Sequence, residues 1–295
     1  MNARGADEYS ARARAKLNLY LHVLDRRADG YHELDSLIAF AQVGDDLTVA
    51  PAERLTLAVE GPFAAALGAG GQAGNLVWRA AMALAAAAEI APRAAIRLVK
   101  NLPVSSGIGG GSADAAAALV LLQRLWRIRL APARLSALAL ALGADVPMCL
   151  EGRPAYAGGV GECLAPVPTL PLVHAVLAHC GVAVSTKDVF QRRAGSYSAP
   201  AARFSAPPAD AHALAALLAG SRNDLTKAAI AIAPEIADCL AALGEAQGCL
   251  LARMSGSGAT CFGLFADAAA AAAACARLAS RYTGWWVAAT ALARD

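Results

Sequence analysis

Residues 102–119 of the chain read LPVSSGIGGGSADAAAAL, a glycine run that opens directly into an alanine-rich stretch. Four glycines, Gly107, Gly109, Gly110 and Gly111, let the backbone turn its N–H groups inward and approach an anion closely. Ser112 is expected to cap a helix over about 113–125, whose partial positive N-terminal charge adds to those donors. Together they favour a di- or triphosphate. The pattern is not a Walker loop, which closes on a Lys-Ser/Thr pair, and Ser112 stands where the dinucleotide fingerprint needs its third glycine. Close-packed turns use glycine for the same backbone reasons, so other segments must decide between nucleotide site and structural turn.

With 295 residues the chain has room for two domains of ordinary size. A net charge of +3 with 5% aromatic residues offers neither the basic stripe nor the stacking platforms of a nucleic-acid binder. The 57% hydrophobic fraction owes much to alanine, and the alanine tracts at 79–90 and 267–277 are short and bounded by charge, as in soluble helices. No membrane partner is expected. The N-terminus carries Asp7 and Glu8 and has no apolar run before Leu17, which fits neither a secretory signal nor a transit peptide, so a cytoplasmic protein is expected. The seven cysteines (Cys149, Cys163, Cys180, Cys239, Cys249, Cys261 and Cys275) form no CxxC pair and read as buried reduced thiols.

Strands and helices are mixed along the chain. In 15–23, Leu17, Leu19, Leu21 and Val23 alternate with Lys16, Asn18, Tyr20 and His22, which predicts a strand with one face in the core and Lys16 and Asn18 together on the other. A turn at 26–30 leads into an extended 31–40, with strands expected at 46–49, 55–59 and 95–100 and helices at 75–90, 113–126 and 132–142. Prolines 166, 168 and 171 mark a domain boundary near 165. Beyond it the pattern predicts strands at 175–177, 248–253 and 261–265, a loop at 195–208 and helices at 210–218 and 234–243. A second small-residue loop, MSGSGAT at 254–260, precedes an alanine-rich helix.

The glycine loop, the segment GADVP at 143–147 and the loop SGSGAT, in that order and at these separations, resemble the three motifs of the GHMP kinase superfamily of small-molecule kinases. Within it, AKLNLYLHVLDRRADGYHELDSL at 15–37 and GGVGE at 158–162 are similar to the members that phosphorylate a cytidine diphosphate conjugate in non-mevalonate isoprenoid synthesis. The resemblance implies an α+β fold, with an N-terminal domain (1–165) related to ribosomal protein S5 domain 2 and a ferredoxin-like C-terminal domain (166–295), the active site lying in the cleft between them. It implies transfer of the ATP γ-phosphate to a tertiary hydroxyl, with Mg²⁺ accompanying ATP. By the resemblance, Pro103, Val104, Ser105, Ser106, Gly107, Ile108, Gly109, Gly110, Gly111, Ser112 and Ala113 form the ATP-binding segment. Lys16 and Asp145 fall on the catalytic positions, and Asn18, Tyr31, His32, Thr186 and Phe190 on substrate-contacting ones.

Those residue types suit the chemistry. An alkyl alcohol is a poor nucleophile, so a carboxylate such as Asp145 can accept its proton as the bond to phosphorus forms. Lys16 would stabilise the charge developing on the hydroxyl oxygen and hold Asp145 ionised. Tyr31 and Phe190 have the planar faces to sandwich a cytosine, and His32 can address its edge. Ser255, Gly256, Ser257 and Gly258 are candidate phosphate contacts, though a tight turn explains them as well. Without the family context, Lys16 reads as an exposed strand lysine and Asp145 as a helix cap. Two departures stand out. SRNDLT at 221–226 resembles the family's Asn-Asp motif but has Thr226 where an acidic residue is expected, which leaves the role of Asn223 and Asp224 open, and Ile38 stands where some relatives carry an aromatic, which suggests a slightly wider pocket. No protein ligand for Mg²⁺ beyond Asp145 is assignable, and no obligate protein partner is evident. The alternatives are another superfamily kinase of homoserine or mevalonate type, or a silent nucleotide-binding relative.

Overall fold

The computed structural model of the chain describes residues 8–67 and 71–293. Residues 1–7, on which part of the expectation of no leader rests, lie outside the described residues. By packing, the chain forms two compact units that interleave in sequence. One comprises Met1–Ala15, Gly44–Val104 and Gly109–Glu151, the other Lys16–Val43, Ser105–Ile108 and Gly152–Asp295. A boundary near 165 follows chain order, whereas these units follow contacts, so 16–43 group with the C-terminal residues.

Strands β1 (Tyr9–Arg26) and β2 (His32–Ala50) pair with each other through the turn in which Arg27 N donates to Tyr31 O at 2.7 Å. The two segments expected at 31–40 and 46–49 are one strand. Gly44, which looks like a break in the sequence, permits this continuity, because a side chain there would collide with the carbonyl of Ala13.

In the first unit, β3 (Thr56–Glu60) runs parallel to β4 (Ala95–Val99), and β4 runs antiparallel to residues 46–50 of β2. Helices α1 (Gly71–Gly74), α2 (Leu76–Ala87), α3 (Gly110–Leu125), α4 (Pro132–Leu142) and α5 (Val146–Glu151) complete it. Asn75 starts α2 by accepting the Val77 N–H at 2.8 Å. Leu47, Val49, Ile96 and Leu98 of the strands share a core with Ala80, Ala81 and Leu84 of α2 and Ala115, Ala118, Leu119 and Leu122 of α3. These alanines are fully buried and form the faces on which α2 and α3 pack.

In the second unit, β5 (Ala155–Gly159) pairs antiparallel with residues 34–38 of β2 and with β6 (Cys163–Pro166). The remaining elements are β7 (His174–His179), α6 (Thr186–Arg192), α7 (Ala211–Ala219), α8 (Thr226–Ile232), α9 (Glu235–Gly244), β8 (Cys249–Met254), β9 (Thr260–Phe265), α10 (Ala268–Arg281) and β10 (Trp286–Ala291). The four last strands form a sheet in the order β10-β7-β9-β8 with every neighbouring pair antiparallel. Strand, helices, two strands, helix and strand in that spatial order make the ferredoxin-like arrangement expected for this part of the chain. Ile236, Cys239 and Leu243 of α9 and Ala271, Ala274 and Leu278 of α10 pack on it with Val176, Cys261 and Phe265. All seven cysteines are free. Cys180, Cys239 and Cys261 are buried, but Cys163 is exposed, against the expectation of burial. Among the described residues no helix is long and apolar enough to cross a membrane.

Candidate active site

Lys16 and Asn18 are each only 5% exposed, so the polar face of β1 does not look outward as its alternation suggests. Both faces of the strand are covered over 15–23, where every residue is buried. A buried lysine must be held by polar partners, and these are present. Lys16 Nζ donates to Asn18 Oδ1 at 3.0 Å, and Asn18 Nδ2 donates to Ser36 Oγ at 2.8 Å. The Asn18 N–H donates to Ser255 Oγ at 3.1 Å, and that hydroxyl donates to Gly107 O at 3.1 Å. Lys16 N donates to Ile108 O at 2.8 Å. The lysine, the small-residue loop and residues 105–108 of the glycine run are therefore one hydrogen-bonded assembly.

The two loops meet backbone to backbone. Gly107 has φ +77° and Gly256 φ +55°. A Cβ on Gly107 would lie 2.5 Å from Ser255 O, and one on Gly256 would lie 2.7 Å from Gly107 O. Thr260 N donates to Ser106 O at 3.0 Å, and Gly258 N closes a turn onto Ser255 O at 2.9 Å. Of the four candidate phosphate contacts, the Ser255 hydroxyl and the Gly258 amide thus have structural partners. Ser257 Oγ and Thr186 Oγ1 are 2.8 Å apart, which joins this loop to the start of α6.

On the same helix, Phe190 stacks on His32, with ring centroids 4.9 Å apart and planes inclined by 25°. The ring paired with Phe190 is therefore His32, while Tyr31 is 64% exposed beside the turn, its N–H donating to Asp29 Oδ1 at 3.0 Å. Burial, and then the positive charges of Arg26 and Arg193, hold His32 below the usual imidazole range. Ile38 is 1% exposed, so it opens no wider pocket.

In the first unit, α3 begins at Gly110, three residues before the expected start, after Gly109 at φ +65° with no side-chain cap. Ser112 is consequently the third helical residue and does not cap the helix, because the left-handed glycine makes the turn instead. Gly111 and Ser112 are exposed and half-buried, and Ala113 is buried. Pro103 is buried, Val104 half-buried and Ser105 exposed. Asp145 is half-buried just before α5, where its carbonyl accepts Cys149 N at 3.1 Å and Gly143 O accepts Val146 N at 3.0 Å.

Several side chains to which the sequence assigned no role hold these pieces. Ser36 Oγ, which receives Asn18, donates on to Tyr20 O. Asn223 Nδ2 donates to Met254 O and Gly256 O, each at 2.8 Å, and so fixes the back of the small-residue loop. Asp224 accepts from Val23 N, Ser198 Oγ and Arg222 Nε at 2.8, 2.6 and 2.7 Å. Burial raises its pKa, but those hydrogen bonds and the Arg222 charge outweigh it and leave the carboxyl below its ordinary value. Beneath α3, the buried Lys100 ammonium bridges Asp45 and Asp114. A lysine ending an apolar strand and an aspartate inside an alanine helix were the available signals for this last group.

Among the described residues no three His, Cys, Asp or Glu side chains gather to hold a metal ion.

Residues 75–153 match the family described as GHMP kinases N terminal domain, and 208–284 match GHMP kinases C terminal. The chain is 52% identical over 280 residues to the 4-diphosphocytidyl-2-C-methyl-D-erythritol kinase of Paramagnetospirillum magneticum, covering 95% of this chain and 97% of that one. The crystal structure of a 4-(cytidine 5'-diphospho)-2C-methyl-D-erythritol kinase superposes with a TM-score of 0.78 at 34% identity, over 97% of this chain and 100% of the other. A homoserine kinase from Cytophaga hutchinsonii has a TM-score of 0.72 over 100% of this chain and 98% of its own, but at 18% identity it shares the fold alone. The chain belongs to the GHMP kinase family, in the group of its 4-diphosphocytidyl-2-C-methyl-D-erythritol kinase relatives.

Proposed function

We propose that the chain transfers the γ-phosphate of ATP to the 2-hydroxyl of 4-diphosphocytidyl-2-C-methyl-D-erythritol, the compound for which its relatives are named, in non-mevalonate isoprenoid synthesis. The observation that carries the reading is the burial of Lys16 in a network with Asn18, Ser255 and the glycine run, because a surface lysine has no need of such partners. In this reading residues 103–113 form the nucleotide-binding segment, with backbone amides of its glycine run donating to the phosphates. Asp145 accepts the hydroxyl proton, and Lys16 opposes the negative charge growing on that oxygen. Phe190, Tyr31 and His32 address the cytosine, with the His32 ring leaving Phe190 or turning with it to admit the base. Asn18 and Thr186 orient the remainder of the substrate, and Ser257 supports Thr186.

Mg²⁺ is taken to arrive with ATP, neutralising the β/γ-phosphates. The oxygen donors of phosphate and water suit it, and among the described residues no three His, Cys, Asp or Glu side chains gather around a common point. We also propose the division into domains 1–165 and 166–295, a cytoplasmic location, and action on small molecules without a nucleic-acid, membrane or obligate protein partner.

The test is mass-spectrometric detection of phosphorylated product from ATP and a panel containing the cytidine conjugate, homoserine and mevalonate. Phosphorylation of the cytidine conjugate is expected. Equal or better use of a compound without cytidine would overturn the substrate assignment. As a control on mechanism, Asp145→Asn is expected to lower turnover by roughly 10²–10⁴ with little change in nucleotide binding.

A further inference from the structure

The opening of α3 contains almost nothing that fixes its own shape. Gly109, Gly110 and Gly111 lose the most backbone freedom on ordering, and the helix start has no side-chain cap. Its order must come from outside the loop. The side of Gly110 that lacks a side chain faces Asp45 Oδ2 and Lys100 Nζ, both 3.5 Å from where a Cβ would stand. Four residues on, and so on the same face of the helix, Asp114 Oδ2 accepts from Lys100 Nζ at 2.7 Å. The same ammonium donates to Asp45 Oδ2. Asp45 Oδ1 in turn accepts the backbone N–H groups of Asn101 at 2.6 Å and Leu102 at 2.8 Å. The two chain ends of the glycine run, 100–102 and 110–114, are thereby tied to one carboxylate on β2. All three charged residues are at most 2% exposed.

We propose that Asp45, Lys100 and Asp114 are positioning residues for the nucleotide, a buried clamp that holds the start of α3 in the conformation that receives phosphate. The inference rests on the reading of residues 109–113 as a phosphate-binding element. A surface pair would do little here, since exposed ions reorganise freely and are screened. A buried lysine between two carboxylates is different, because each partner that leaves strands a charge in a poor solvent and the geometry is therefore strongly specified. Burial and the Asp45 carboxylate push Asp114 up to about 7, while Lys100 opposes them, and Asp114 Oδ1 is buried with no hydrogen-bond partner. Asp114 Oδ1 thus offers a place for a proton that leaves the Lys100 contact on Oδ2 intact. None of the three groups needs to touch the ligand.

The experiment measures KM for ATP, KM for the cytidine substrate, kcat and thermal stability in the intact enzyme. Asp114→Ala is expected to raise the KM for ATP about tenfold, to leave the KM for the cytidine substrate within about twofold and to alter kcat by less than about threefold. Asp114→Asn keeps an oxygen for Lys100 and is expected to recover most of the loss. Lys100→Arg carries the same test if Asp114→Ala does not fold: a several-fold rise confined to the KM for ATP supports the clamp. Folded variants with unchanged KM for ATP, or with both KM values rising together in step with lost stability, overturn it. A wild-type protein that neither binds nor uses ATP would instead remove the phosphate-site reading itself, which separates the two failures.

Discussion

The two glycine-bearing loops look alike in sequence and are built on opposite principles. In the loop 254–260 and the part of the glycine run against it, the glycines leave no space at all. Side chains on Gly107, Gly256 and Gly258 would stand 2.5, 2.7 and 2.8 Å from neighbouring atoms, and all three positions have positive φ. At the start of α3, by contrast, a Cβ on Gly110 or Gly111 would meet its nearest neighbour at 3.5 Å, an ordinary contact. The first loop is held by backbone packing and hydroxyl groups, the second by buried charge beneath it. A glycine is therefore evidence of close approach only once its surroundings are known, and the approach at Gly107 is made by protein.

The largest effect that would test this contrast is at Gly107. Gly107→Ala combines an unfavourable left-handed backbone with a backbone clash, and is expected to lower unfolding free energy by about 3 kcal/mol or more in urea titration. A loss under about 1 kcal/mol would show that the loop contact is slack and the comparison misplaced. Next in size is Asn223→Ala. It leaves the Met254 and Gly256 carbonyls without their amide donor, at an expected cost of about 2 kcal/mol, read in the same titration. Asn223→Asp is expected to be no better, because a carboxylate cannot donate to two carbonyls.

How much of this was legible in the sequence depended on whether the signal was local. The α2, α3 and α9 helices, the strands of the ferredoxin-like sheet other than β10 and the loop at 195–208 follow from apolar period, alanine content and turn residues, which are local properties. Strand β10 was not anticipated because WVAATA has weak alternation and no flanking breaker near its end, and α6 and α8 are short amphipathic turns whose burial comes from tertiary contacts. The continuity of β2 through Gly44 depends on Ala13, thirty-one positions earlier, which no window reading can see. At the candidate site the residue types were readable and the partners were not. Lys16 looked exposed because an alternating strand is usually covered on one face, and this one is covered on both. Ser36, Asn223 and Asp45 act through contacts remote in sequence. Tyr31 and Phe190 were legible as planar side chains, but the stacking of His32 on Phe190 follows from α6, an element the pattern did not predict.

A smaller effect probes the charged foundation of the second loop through pH. The folded-state pKa of Asp114 is raised above its unfolded value, chiefly by burial, to about 7. A carboxyl with a raised folded pKa binds its proton more tightly in the native state. Its contribution is fully present below the unfolded pKa and is lost as pH rises through the folded one. Between about pH 4 and pH 7, wild-type stability should therefore fall relative to Asp114→Asn, by about 1 kcal/mol per pH unit. Urea unfolding of both proteins at several pH values gives the difference directly and cancels titrations common to both. A constant difference would mean that Asp114 stays ionised throughout and that the Lys100 ion pair outweighs burial.

The smallest expected effect falls on the residue that the sequence most readily marks for close phosphate approach. If Gly110 were a glycine so that a ligand could reach its backbone, a methyl there would block the phosphate. The structure directs that methyl away, toward Asp45, Lys100 and Leu102, where the nearest atoms are 3.5, 3.5 and 3.6 Å off. Gly110 also lies at the first helical position without positive φ, where alanine removes unfolded-state freedom and suits the helix. Gly110→Ala is accordingly expected to change stability by no more than about 1 kcal/mol, with the sign more often favourable, and to keep nucleotide affinity within about threefold. Calorimetric titration with ADP alongside urea unfolding separates the two quantities. Preserved stability with a tenfold or greater loss of affinity would mean that the nucleotide displaces the clamp or approaches from its side, and the two loops would then be more alike than their packing indicates. Lost stability with preserved affinity would mean that the space beside Lys100 is tighter than its distances suggest, and the contrast with Gly107 would become one of degree.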